Sequence, residues 1–171
     1  DFIPLVIISL VMIPFQTTLE ELLFRGYLMQ GLKTKFGSNI LAVLISGVFF
    51  GLMHMGNPEI EAIGYHVLSY YIIIGIFLGC LVVFDNGLEL SIGFHAANNI
   101  FAALIVSNDW QVFQTDALFG TRIFLEYVAC VYCFSLCFGI YLQENIPLEV
   151  PKRLLGLTGV DSSTFFRFTL V

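Results

Sequence analysis

The chain has 171 residues, of which 58% are hydrophobic and 12% charged, and its mean hydropathy is +0.90. Soluble domains carry about 25% charged residues, so this chain has too few charges to coat a water-facing surface, and lipid must cover much of it. The net charge of −6, with no basic stripe, argues against a nucleic-acid partner.

Taken in chain order, the apolar stretches are residues 2–19 (running on as a more polar helix to about Leu32), 39–55, 66–84, 88–107 and 123–142. Each approaches the roughly 20 residues a helix needs to cross about 30 Å of hydrocarbon. Runs such as Tyr70 to Leu78 do not alternate, which rejects a β-barrel. The expected fold is all-α: a polytopic transmembrane helix bundle of about five spans, with a helical domain over residues 1–142 and a polar tail over 143–171 that contains Pro147 and Pro151. The chain opens on Asp1 with an apolar run from Phe2, so further residues are expected before it in the parent protein. Lys33 to Asn39 reads as a polar turn, Gly56 to Glu59 as a breaker leading into an acidic loop, Asp85-Asn86-Gly87 as a tight turn, and Asn108 to Thr121 as a longer loop with Trp110 at the interface. Lys33, Lys35, Lys152, Arg153 and Arg167 fall on one side of such a bundle and Arg122 on the other, which puts the C-terminus in the cytoplasm of a multi-pass protein of the bacterial inner-membrane type.

Ionisable groups inside apolar spans are costly and mark function by default. Glu21 and Arg25 are four apart with the acid first, the favourable order for an ion pair on one helix face. Glu20 is rotated about 100° away, so Arg25 can neutralise one carboxylate while the other serves as a general base. The plainer alternative is a surface salt bridge at an interfacial helix end. His54 closes an apolar helix and reads alone as a hydrogen-bonded packing residue. Gly47 and Gly51, four apart before it, permit close helix approach. His95 and Asn99 are one turn apart and share a face. They are either interhelical hydrogen-bond glue or donors for a developing oxyanion. His66 opens the third stretch and reads as interfacial.

Together, Glu20, His54, His95 and Asn99 form a hydrolytic set. In that order, Glu20-Glu21-x-x-x-Arg25, Phe50-x-x-x-His54 and His95-x-x-x-Asn99 resemble the three signature motifs of the CAAX prenyl protease and bacteriocin-processing family, also called the abortive-infection family. The resemblance covers about residues 13–105. It implies an intramembrane glutamate endopeptidase without a cofactor, in which Glu20 and His54 activate water, His95 and Asn99 form the oxyanion site, and Glu21 and Arg25 support them. The implied partners are membrane lipid and a peptide or protein substrate, CAAX-like or of the bacteriocin type.

Three other readings stand beside this one. A zinc metallopeptidase would use Glu20, His54 and His95 as ligands, although no His-Glu-x-x-His helix is present. An immunity or scaffold protein would use the same polar groups as glue. A proton-coupled transporter would relay protons through them, but there is no internal repeat. Cys80 stands alone. Cys130, Cys133 and Cys137 share one helix face and read as small apolar packing residues rather than a redox or metal cluster. Counting from the turns places His54 and His95 at different depths, unless a helix is tilted or broken at Pro14 or Gly51.

Overall fold

The computed structural model describes residues 2–107, 115, 117, 119 and 120. Helix α1 (Phe2–Glu21) runs through a π-helical segment (Leu22–Leu28) into α2 (Met29–Phe36) without interruption. Then follow α3 (Asn39–Met53), α4 (Pro58–Ile63), α5 (Val67–Asp85) and α6 (Glu89–Leu104). Two-residue strands β1 (Val106–Ser107) and β2 (Phe119–Gly120) pair in parallel beyond them. The described part of the chain is thus helical apart from this one short pairing, as composition requires. The fifth apolar stretch, Trp110, the tail and the cysteine triplet lie outside the described residues.

The turns follow local chemistry. Gly37 adopts φ 67°, a left-handed conformation that closes the last turn of α2 by donating its N–H to Lys33 O at 2.8 Å. Ser38 then caps α3, its Oγ accepting from Leu41 N. Asn86, at φ 55°, ends α5 the same way. The expected acidic loop after Asn57 is instead helix α4, started by Pro58 at its first position.

The Phe2–Phe36 helix has 35 residues and α5 has 19, both long and apolar enough to cross a membrane. α3 has 15 residues and α6 has 16, each shorter than the stretch expected from the sequence. The α-helix continues through both Pro14 and Gly51, so neither breaks it. Hydroxyls of Thr17 and Thr18 donate to Pro14 O at 3.2 and 2.6 Å. His54, directly after α3, and His95, on α6, nevertheless line the same cavity.

α1 packs on α6, α2 on α3, and α3 on α5. The α3–α5 contact is built on glycine. A Cβ on Gly75 would lie 2.8 Å from Gly47 O and 3.0 Å from Gly47 Cα, and one on Gly47 would lie 2.7 Å from Ile76 N. The expected close approach at Gly47 and Gly51 is therefore present, with Gly75 as its partner. Around it pack two apolar clusters, Met29, Ala42, Val43, Val82 and Val83, and Phe24, Phe50, Leu78 and Leu81. Much of α1 turns outward, exposing Ile3, Ile7, Ile8, Val11 and Phe15.

Because backbone meets backbone at Gly75, no rotamer change relieves an added methyl. Gly75→Ala is expected to lose about 1–3 kcal/mol through overpacking, read from denaturant unfolding in detergent. Gly31→Ala, in open space on α2, is neutral or gains up to roughly 1 kcal/mol. Equal effects at the two positions would mean the α3–α5 contact is not close-packed.

Candidate active site

The π-helical segment Leu22–Leu28 starts directly after Glu20 and Glu21 and contains Arg25. Such segments occur mostly as single wide turns, often at functional sites. Across it, Arg25 Nη1 still reaches Glu21 Oε1 at 2.8 Å, both side chains being fully inaccessible. The ion pair predicted from spacing is present, but buried rather than interfacial. Arg25 Nη2 donates to the carbonyl of Gly75 on α5 at 2.8 Å. Its guanidinium lies over the Phe50 ring, 4.5 Å from the centroid, within cation–π range.

Glu21 is the meeting point of α1 and α6. Its Oε2 accepts from Ser91 Oγ at 2.5 Å, and its Oε1 also accepts from His95 Nδ1 at 2.8 Å. A carboxylate oxygen can only accept, so Nδ1 of His95 carries the proton and Nε2 is directed elsewhere. That Nε2 lies 3.7 Å from Glu20 Oε2. The adjacent carboxylates thus have different surroundings. Glu21 is sealed at 0% exposure, whereas Glu20 is 27% exposed and holds Gln16 Nε2 at 3.0 Å.

Glu20, His54, His95 and Asn99 line one cavity of about 330 Å³, with Phe24, Phe50 and Ile74 among its apolar walls. His54 donates Nδ1–H to Phe50 O at 2.8 Å, since a carbonyl only accepts, which leaves Nε2 with a lone pair. Asn99 Oδ1 accepts from Asn98 at 3.4 Å, so its amide nitrogen is the donor left for the cavity. All four residues proposed for chemistry are thereby brought together, while Glu21 and Arg25 sit behind them. His66 is exposed, in keeping with an interfacial position. Among the described residues, no three His, Cys, Asp or Glu side chains are grouped to hold a metal ion.

Sequence reasoning missed Ser91, Gln16, Asn98 and the Gly75 carbonyl. It also missed Asn57, Glu59 and Tyr71, which line the cavity beside His54. Glu59, which the sequence places at a breaker leading into an acidic loop, is only 2% exposed.

Residues 2–101, which include every one of these motif positions, match the type II CAAX prenyl endopeptidase Rce1-like family. The chain belongs to this Rce1-like family. A relative in Bacillus subtilis (strain 168), named uncharacterized protein YyaK, is 32% identical over 112 residues, which are 66% of this chain and 38% of that protein. No solved structure matches significantly. The Rce1-like match begins in the first turn of α1, further towards the N-terminus than the motifs alone reach. Membership makes the chain part of a membrane-embedded, protease-type family, in agreement with its composition and its two long apolar helices.

In an Rce1-like site built this way, Arg25 is an anchor. Arg25→Met leaves Glu21 and the Gly75 carbonyl without their cation and is expected to destabilise the protein by about 3–5 kcal/mol. Arg25→Lys recovers only part of this, because an ammonium lacks the planar fork that serves two acceptors. Denaturant unfolding in detergent measures both. An Arg25→Met variant unfolding at the wild-type midpoint would remove the ion pair from the account.

Proposed function

We propose that the protein is an intramembrane endopeptidase that hydrolyses a peptide bond of a membrane-associated substrate, CAAX-like or of the bacteriocin type. The observation that carries this reading is the convergence of Glu20, His54, His95 and Asn99, from α1, the end of α3 and α6, on one cavity walled by apolar side chains. Membership of a CAAX endopeptidase-type family supports it. The lysine and arginine bias supports a multi-pass topology of about five spans with the C-terminus in the cytoplasm.

In the proposed mechanism, water bound between Glu20 and His54 is the nucleophile. Glu20 takes a proton from it, and Nε2 of His54 accepts its second hydrogen bond and aims a lone pair at the scissile carbonyl carbon. Oxygen bonds to that carbon, and the carbonyl electrons move onto its oxygen. The amide nitrogen of Asn99 and Nε2–H of His95 donate to this oxyanion. The His95 role requires protons on both ring nitrogens, because Nδ1–H is committed to Glu21. As the oxyanion collapses, the C–N bond breaks and the proton held by Glu20 passes to the leaving amine. The products are one new carboxylate and one new amine, with no cofactor.

The test is cleavage by the full-length parent protein in detergent, against a library of lipidated and unlipidated peptides. Glu20→Ala is expected to lower turnover by about 10²–10⁴-fold, the usual contribution of a general base, and a chelator is expected to leave wild-type cleavage unchanged. Undiminished cleavage by Glu20→Ala removes Glu20 as the base. Cleavage abolished by the chelator moves the reading to a metal site.

A further inference from the structure

His54 lies one residue beyond the end of α3, in a turn closed by Asn57 N–H donating to its carbonyl at 3.0 Å. Its hydrogen bond to Phe50 O fixes one ring nitrogen, but a single hydrogen bond leaves the ring plane able to tilt about it. The plane is set by aromatic contact. The Tyr71 ring lies on the imidazole nearly parallel, with centroids 4.3 Å apart and planes 18° apart, and the Phe50 ring packs at 4.7 Å. Tyr71 is itself braced. Asn57 Nδ2 donates to its phenol oxygen at 3.2 Å, and its O–H donates to Glu59 Oε1 at 3.1 Å. Glu59 belongs to α4 and Tyr71 to α5, elements that carry none of the three sequence motifs.

We infer that Tyr71, braced by Asn57 and Glu59, is the positioning residue that fixes the plane of the His54 imidazole and so the direction from which Nε2 meets the water in the cavity. The inference rests on the peptidase reading above for its catalytic consequence, but not for its geometry. A general base partner works only when held close to its productive orientation, and a displacement of about 1 Å can cost a hundredfold in rate. α4 then has a purpose that its sequence does not announce. It folds Glu59 back over the cavity as the outer end of a brace running from α4 through Tyr71 to His54.

Two measurements on the full-length protein in detergent test this. The first is turnover. Tyr71→Leu is expected to lower kcat by roughly tenfold to a hundredfold with KM nearly unchanged. Tyr71→Phe keeps the stacked ring but loses both hydrogen bonds of the brace, and its turnover is expected to lie between those of the wild type and Tyr71→Leu. An unchanged kcat in Tyr71→Leu, or a loss carried entirely by KM, overturns the inference. The second is histidine NMR, which needs no cleavage, with the His54 resonances assigned by their disappearance in His54→Gln. Stacking places the His54 ring in the shielding zone of Tyr71. Its resonances are expected to move downfield in Tyr71→Leu and to move in the same direction, but less, in Tyr71→Phe. His54 resonances that do not move in Tyr71→Leu overturn the inference. Cleavage that survives Glu20→Ala would sink the peptidase reading, while the NMR comparison still decides whether Tyr71 holds His54.

Discussion

The site depends on one buried carboxylate. Glu21 is fully inaccessible and is compensated by three donors: Arg25 from its own helix, and Ser91 and His95 from α6. A buried charge with any of these missing is expensive, so the helices must come together in the register that supplies all three. Arg25 extends the constraint to α5 through Gly75 O, and the glycine contact between Gly47 and Gly75 brings α5 against α3. Three further helices are thus tied to this one side chain of α1: α6 directly, α5 through Arg25, and α3 through Arg25 and then Gly75.

The same arrangement divides the labour between neighbouring carboxylates. Rotation along the helix turns Glu21 into the bundle and Glu20 into the cavity. His95 bridges them, giving Nδ1 to Glu21 and facing Nε2 towards Glu20 at 3.7 Å. The buried carboxylate therefore orients the ring whose other nitrogen is proposed to serve the chemistry, as an outer partner commonly orients a functional histidine. On the other wall, His54 receives its orientation from a separate set of groups on α3, α4 and α5. The two histidines have different hydrogen-bond partners but share one neighbour, the Phe50 ring, whose centroid lies 4.7 Å from that of His54 and 5.7 Å from that of His95.

Much of this was legible because it rests on short-range periodicity. The Glu21–Arg25 and His95–Asn99 spacings, the Gly47–Gly51 pair and the turns at Gly37 and Asn86 are local patterns, and local geometry decides them. Other features are not local. The π-helical turn at Leu22–Leu28 has no residue code in this chain. Ser91 is one serine among several until α6 meets α1. Glu59 follows a breaker and sits beside Glu61, which makes it resemble a solvated loop; only the return of α4 towards α5 buries it against Tyr71. The meeting of His54 and His95 at one cavity is likewise not local, because it depends on how α3 and α6 are packed through their neighbours.

Glu21 is thus assigned to hold the fold, and Glu20 is proposed to do the chemistry. The most direct measurement is the unfolding midpoint and peptide turnover of Glu20→Gln and Glu21→Gln, taken on the same detergent preparations. The account predicts that Glu20→Gln unfolds like the wild type and is nearly inactive, while Glu21→Gln unfolds at markedly lower denaturant. A Glu21→Gln variant as stable as the wild type, beside a Glu20→Gln variant that cleaves at the normal rate, would contradict it.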